Sequence, residues 1–281
     1  MQYRFSVCIC TRNRPNELRK ALASAEKAEL VHEIIVSDDS TDDRTERLVR
    51  SEFPFVMYVP GPRRGLAANR NRAVRAVTGS HVLFMDDDVV LAPDFFVQIM
   101  KVLKESAARH GHRVIVTGLE TRRGALIRPH DQTFFGFQER QYSQGEPLKT
   151  IVINSTVFPV FLFKEIRFDE QLVYGYEEVD FATRAAQRGY AIVLAEKAVN
   201  THFPAEGNRD FYRPHIDKSR MYVTFKRYWH TERKRGKAVA FALLAPAHAL
   251  LSGIKAGGWK GASGAMRAIR GSLAMMLRAS R

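Results

Sequence analysis

Residues His81 to Met85 form an apolar run that ends in three consecutive carboxylates, Asp86, Asp87 and Asp88. Adjacent negative charges repel one another and cost solvation when buried, so packing alone is a poor reason for the triplet. A divalent cation bridging to a diphosphate is a better one. Oxygen ligands suit Mg2+ or Mn2+, and the ion neutralises the cluster. The plain alternative is a solvated acidic loop. A second acidic group, Phe168-Asp169-Glu170 followed by Tyr174 to Arg184, places Glu177 and Glu178 where a helix opens. There the positive end of the helix dipole favours ionised carboxylates. A carboxylate kept ionised beside a cation site is a plausible general base for a hydroxyl group, the alternative being dipole stabilisation alone. Asp180 and Arg184 stand i, i+4 and are expected to pair structurally.

Two further polar clusters follow strand-like runs in the same way. Asp38-Asp39 follows Glu33 to Ser37, and Thr11-Arg12-Asn13-Arg14-Pro15 follows Phe5 to Cys10. Polar groups at several strand ends can converge on one ligand. Asp39 suits a hydrogen bond to a base N–H or a ribose, with Thr11 and Arg14 near the nucleotide. For Asp38, Asp42 and Asp43 the competing reading is a helix N-cap. Arg70 lies among Arg63, Arg64, Arg72 and Arg75. One of these, with Arg70 as the candidate, is expected to meet phosphates, and the others to form a solvated face.

The elements that must position these groups read as a βαβ series. Strand-like runs at Phe5 to Cys10, Glu33 to Ser37, Phe55 to Val59, His81 to Met85 and Arg113 to Thr117 alternate with helical stretches, which predicts a mostly parallel sheet. The first helix starts at Pro15 and carries Leu18, Leu22 and Ala25 on one face. Others are predicted over Leu66 to Val77, from Pro93 onward with Phe96, Ile99 and Leu103 buried, and over Glu177 to Arg188, closed by Gly189. Gly118 to Pro147 loses periodicity and reads as a long excursion near the site. Apolar runs return at Thr156 to Phe163 and Tyr190 to Ala195.

Taken in order, Thr-Arg-Asn-Arg-Pro, Ile-Ile-Val-Ser-Asp-Asp, Arg-Asn, Phe-Met-Asp-Asp-Asp and Tyr-Gly-Tyr-Glu-Glu-Val-Asp-Phe resemble a family 2 glycosyltransferase of the GT-A fold, over about residues 4–205. The resemblance implies an inverting, metal-dependent transfer of a sugar from a nucleotide-diphosphate donor to an acceptor hydroxyl. It makes the aspartate triplet the D-x-D motif, with Asp88 on the metal and Asp86 and Asp87 contacting ribose and metal. Glu177-Glu178-Val179-Asp180 matches the family's E-D-x-D motif, so Glu178 inherits the role of base. Glu stands there where Asp is commoner, which keeps Glu177 as an outside candidate, and Ser40 replaces a usual glycine after Asp39. His202, following the last predicted strand, is similar to the late histidine that many GT-A enzymes supply to the metal; an imidazole suits Mn2+. A lone histidine can equally be a satisfied polar residue.

The chain has 281 residues and 45% hydrophobic content, enough for one large α/β domain with an appendage and too apolar for disorder. Cys8 and Cys10 point the same way along a strand and are badly placed to bridge, so they read as buried thiols in a reducing compartment. The apolar stretch before the first polar motif is too short for a signal peptide. The net charge of +14 is concentrated: residues 213–281 hold fifteen Lys and Arg against Asp217 and Glu232, leaving 1–212 at +1. We therefore expect a catalytic domain over 1–212 and a basic amphipathic helical extension over 213–281 that meets an anionic membrane. The stretch from Ala238 to Ile254 is at the short limit for a span, so a helical hairpin or interfacial helix fits better. Beyond Gly257-Gly258-Trp259, one face is predicted to carry Met266, Ile269, Leu273, Met276 and Leu277 beside Arg267, Arg270 and Arg278. The competing reading packs this helix on the catalytic domain or a dimer partner. No nucleic-acid motif accompanies the charge.

These features suggest a peripheral protein on the cytoplasmic face of a membrane, with a lipid-linked or envelope glycan precursor as acceptor. A sugar-phosphate nucleotidyltransferase is the second reading, weakened by the lack of a glycine-rich phosphate loop after the first strand. A non-catalytic basic binding protein is the third.

Overall fold

The computed structural model describes residues 3–204 and 209–279. The chain opens with β1 (Phe5–Thr11), α1 (Pro15–Lys27), β2 (Val31–Asp38), α2 (Arg44–Glu52), β3 (Met57–Pro60), α3 (Leu66–Val74) and β4 (His81–Asp86). It continues through β5 (Val89–Val90), α4 (Phe95–His110), β6 (Val114–Arg122), β7 (Ala125–Ile127), β8 (Asp131–Gln132) and β9 (Gln138–Arg140). Then come β10 (Thr156–Pro159), α5 (Leu162–Glu165), α6 (Glu177–Gln187), β11 (Ala191–His202), α7 (Arg209–Lys226) and α8 (Arg235–Ala279).

The main sheet runs β3-β2-β1-β4-β10-β6-β11-β5, with β7 attached to β6. Its first four strands are parallel, as are β6 and β11. The expected mostly parallel sheet is therefore mixed: β10 is antiparallel to both β4 and β6, and β5 and β7 are antiparallel to their neighbours. Parallel pairing needs a crossover that returns the chain to the same end of the sheet. The excursion after β6 instead delivers β10 from the opposite end. β6 itself extends to Arg122, so Gly118 to Arg122 belong to the sheet rather than to the excursion.

Side-chain alternation separates two cores. Phe5, Val7 and Ile9 of β1, with Leu83 and Met85 of β4, face a core that includes Leu18, Leu22 and Ala25 of α1 and Phe96, Ile99 and Leu103 of α4. Cys8, Val82 and Phe84 face the other side, where Phe158, Phe163, Phe168 and Phe181 gather. Phe168 and Phe181 stack with ring centroids 4.4 Å apart, and Phe84 meets Phe168 edge-on at 5.4 Å. With both faces covered, β1 and β4 are apolar almost throughout, so only their final residues can carry chemistry. Cys8 and Cys10 are free and buried.

The basic C-terminal segment is bound to this body. Lys226 pairs with Asp169 at 2.6 Å and Asp180 at 2.9 Å, and Arg227 pairs with Asp131 at 2.8 Å. α8 bends at Gly257 and Gly258 into two arms, 235–256 and 259–279. The arms meet where a Cβ on Gly261 would lie 2.0 Å from the carbonyl oxygen of Gly253, a contact only glycine allows. The face predicted for the second arm divides: Ile269 is 8% exposed and packs with Met221, Tyr228 and Phe241, whereas Leu273 and Leu277 are 52% and 71% exposed. The reason is that α7 and the first arm cover one side of the second arm.

Candidate functional site

The chain crosses from β1 to β2 on one side and later returns from β3, through α3, to β4 on the other side of β1, and the cleft lies at this point of divergence. The ends of β1, β2 and β4 line one cavity of about 620 Å³ together with α6, β9 and the end of β11. Thr11, Arg14, Asp39, Arg70, Asp86, Asp87, Asp88, Glu178 and His202 all border it. Side chains more than 90 residues apart in sequence, Asp88 and His202, come within 3.1 Å.

The aspartates differ in their surroundings. Asp87 is buried, accepting from Thr11 Oγ1 at 2.7 Å and Arg14 Nη1 at 2.7 Å. Burial pushes its carboxyl up to about 7, against the opposing pull of Arg14 and Thr11. Asp88 accepts from Arg14 Nη1 at 3.0 Å and faces His202 Nε2; burial opposes ionisation, but these partners hold its carboxyl below the ordinary value. Asp86 remains partly open and accepts from Arg70 Nη2 at 3.1 Å. Arg14 Nη2 is buried without a protein partner, a donor available to an anionic ligand.

His202 sits between two carboxylates, its Nε2 toward Asp88 and its Nδ1 2.8 Å from Glu120 Oε1. Burial lowers the imidazole's basicity, yet hydrogen bonds and charge from Asp88 and Glu120 raise its pKa to about 9. Glu120 is 1% exposed and is held by Arg122 at 2.8 Å and Asn154 Nδ2 at 3.1 Å. Asn154 Oδ1 in turn accepts from the Asp86 backbone N–H at 3.0 Å, which ties the aspartate triplet to the histidine. Glu120, Asn154 and Gln138 escape sequence reasoning. Glu120 leaves a trace, a single carboxylate directly after the largely apolar run Val114 to Leu119; Gln138 leaves none.

Among the described residues no three Asp, Glu, His or Cys side chains form a ready-made cation cage. The Asp88 and His202 pair nevertheless has suitable spacing. Adjacent ligands at right angles around an octahedral ion are about 3.0 Å apart, against 3.1 Å here. Such ions keep water and substrate phosphates in their remaining positions, so a two-residue donor set fits.

On the second strand end, Asp38 is used locally, accepting from Ser40 N–H at 2.8 Å and Tyr58 OH at 3.0 Å. Ser40, unexpected in place of glycine, accepts from Asn13 N–H at 2.7 Å and so links the loops after β1 and β2. Asp39 accepts from the Arg63 backbone N–H at 2.7 Å, and burial raises its pKa. It rests on Gly61, where a Cβ would lie 2.2 Å from Asp39 Oδ1 and 2.9 Å from the Asp38 carbonyl carbon.

The opposite wall is the N-terminus of α6. Gly175 and Tyr176 both adopt positive φ, at 82° and 67°, which turns the chain sharply so that Glu177 and Glu178 enter the cavity from the first turn. Glu177 pairs with Arg70 Nη1 at 3.0 Å and leaves Oε2 unpartnered; burial, then the neighbouring Glu178, push it up to about 7. Glu178 is raised by burial and accepts from Gln138 Nε2 at 3.3 Å. Arg70, expected near phosphates, is 1% exposed, and its guanidinium is occupied by Asp86 and Glu177. Asp180 turns away and pairs with Arg184 as anticipated.

YwdF of Bacillus subtilis (strain 168), an uncharacterized glycosyltransferase, is 25% identical over 186 residues, 66% of this chain and 68% of that protein. The succinoglycan biosynthesis protein ExoM of Rhizobium meliloti (strain 1021) is 29% identical over 109 residues, 36% of this chain and 35% of ExoM. Among solved structures, the mannosyltransferase PcManGT from Pyrobaculum calidifontis, in complex with GDP-Man and Mn2+, superposes with a TM-score of 0.60 at 17% identity, covering 99% of this chain and 88% of that one. S. aureus TarS gives 0.58 at 19%, covering 81% of this chain and 40% of TarS. These two likenesses show a shared fold. The family described as Glycosyl transferase family 2 matches residues 6–167, more than half of the sequence, and the chain therefore belongs to that family of glycosyltransferases.

Proposed function

We propose that this glycosyltransferase moves a sugar from a nucleotide-diphosphate donor to an acceptor hydroxyl with inversion at the anomeric carbon. One observation carries the reading: a single cavity has the aspartate triplet and His202 on one wall and the Glu178 carboxylate on another. Asp39 receives the base or ribose, and Thr11 and Arg14 support the aspartates beside the nucleotide, the unpartnered Arg14 Nη2 facing phosphate oxygens. Asp86 and Asp87 contact the donor. Arg70 acts through Asp86 and Glu177, setting donor wall and acceptor wall in register. Asp88 and His202 would hold Mn2+ or Mg2+, which when bound neutralises charge on the diphosphate.

Glu178 accepts the acceptor's hydroxyl proton while the hydroxyl oxygen bonds to the anomeric carbon and the bond from that carbon to the diphosphate oxygen breaks. The products are the glycosylated acceptor and a nucleoside diphosphate. Gln138 donates to Glu178 and orients it, and the helix N-terminus favours its ionised form. The GDP-Man and Mn2+ of the mannosyltransferase neighbour support this choice of donor class and ion.

The acceptor is a lipid-linked or envelope glycan precursor, met at the cytoplasmic face of a membrane. Residues 1–212 catalyse and 213–281 associate with that membrane. Support comes from the site itself: Ile216 of α7 lines the cavity, so the basic segment forms part of its wall. Incubation with a panel of nucleotide sugars, followed by assay for free nucleoside diphosphate, tests the proposal. Release of pyrophosphate from nucleoside triphosphate plus sugar phosphate, with no nucleoside diphosphate from any nucleotide sugar, would make the chain a nucleotidyltransferase, and no release of either kind would leave a binding protein.

A further inference from the structure

The bend in α8 leaves a large apolar surface uncovered. Along the first arm, Ala238, Phe241 and Ala245 face the protein, while Val239, Leu243, Leu251 and Ile254 are 50%, 72%, 68% and 53% exposed. With the exposed Ala247 between Leu243 and Leu251, positions 239, 243, 247, 251 and 254 follow one another at three or four residues and make one continuous outer stripe. At the bend Trp259 is 93% exposed, and on the second arm Leu273 and Leu277 point outward. Monomeric proteins rarely leave so contiguous an apolar face bare.

The charges beside this face have one sign. No Asp or Glu follows Glu232, whereas Lys255 and Lys260 flank the bend and Arg267, Arg270 and Arg278 accompany the second arm. All five are exposed. An apolar stripe bordered only by cations is complementary to an anionic lipid surface, where each Lys or Arg contributes about fivefold in partitioning.

We propose that the α8 hairpin lies in the plane of an anionic bilayer, with the outer stripe and Trp259 entering the boundary between headgroups and acyl chains. This deepens the membrane part of the function proposed above and rests on it only for the acceptor. α8 is long and apolar enough to cross a membrane by composition. Its packing favours the planar arrangement. His248 stacks on Phe135 with ring centroids 4.2 Å apart, and Phe241 meets Tyr228 at 5.9 Å, contacts that a spanning helix would lose. The uncharged stretch from Ala238 to Ile254 is also at the short limit for a span.

Flotation of the full chain with vesicles of equal parts phosphatidylcholine and phosphatidylglycerol, and with phosphatidylcholine alone, tests this. We expect recovery with the anionic vesicles, at least about tenfold weaker recovery with neutral ones, and release as salt rises. Leu243→Ser with Leu251→Ser should abolish flotation while donor turnover without vesicles is unchanged. In a Trp229→Phe background Trp259 is the sole tryptophan, and its emission should shift to the blue on anionic vesicles. That readout leaves the outer stripe intact. Failure of the wild type to float, equal flotation of wild type and double variant, or a dimer in light scattering that the double variant dissolves would each overturn the proposal, the last by making a second copy the occupant. Failure of the wild type to float with its donor turnover intact counts against the surface alone. Absent turnover with flotation intact counts against the catalytic reading alone.

Discussion

Arg70→Met isolates the ion network that joins the two walls of the cavity. In the wild type, Arg70 is 1% exposed and divides its guanidinium between Asp86 and Glu177. The two carboxylates respond differently to its removal. Asp86 has a side chain 28% exposed and recovers water, whereas Glu177 is 5% exposed and already has one unpartnered oxygen. Removing one partner of a buried pair costs about 3–5 kcal/mol, which for a chain of 281 residues lowers Tm by about 5–9 °C. The pH dependence gives the sharper test. Glu177 has a folded pKa pushed up to about 7, so the native state binds its proton more tightly than the unfolded chain does. Its contribution is therefore most favourable at low pH and declines as pH rises from the ordinary carboxylate value to about 7. Arg70 lowers that pKa, so its loss extends the decline to higher pH. Thermal melts of Arg70→Met should show a larger deficit at pH 8 than at pH 5, and adding Glu177→Gln should restore most of the pH 8 loss. A deficit equal at both pH values, or one that Glu177→Gln leaves untouched, would refute the network as described.

Three further outcomes follow from the site. Glu178→Gln should retain donor binding by calorimetry while transfer falls about 10²–10⁴-fold; near-wild-type turnover would remove Glu178 from the role of base. Chelation with EDTA should abolish transfer, and activity of Asp88→Ala should not return on adding Mn2+, whereas full activity in EDTA would count against both. Glu120→Leu should weaken Mn2+ binding about 10–100-fold, read by titration in the absence of acceptor, because His202 loses the carboxylate on its Nδ1. Unchanged affinity in that variant would make Glu120 a packing residue only.

Much of the fold was legible because period-two alternation and helix punctuation are local signals. Leu18, Leu22 and Ala25 are buried as their spacing predicts, and α6 ends before Gly189, whose φ is +81°. The excursion was harder to read, since the antiparallel entry of β10 depends on pairing across the sheet that no short window encodes. The ordered acidic motifs brought Asp86 to Asp88 and Glu178 to one cavity. The contacts that organise them, from Glu120, Asn154 and Gln138, are single polar residues whose meaning lies in what they touch. Arg70 illustrates the limit: its sequence neighbours suggested a solvent-facing cationic helix, while its partners Asp86 and Glu177 lie 16 and 107 residues away. The basic extension was visible as composition, but the division between Ile269 inside and Leu273 outside required α7 to be in place.

Gly61 contributes no functional group, yet the position of the Asp39 carboxylate depends on its bareness. Any β-carbon there would displace Asp39, Asn69 and the β2 terminus together. A mutational scan of this enzyme should therefore score a silent, unreactive position outside every acidic motif as severely as a charged one, with alanine itself as a disabling change. Inventories of reactive side chains will overlook it, because what the cleft requires there is empty volume.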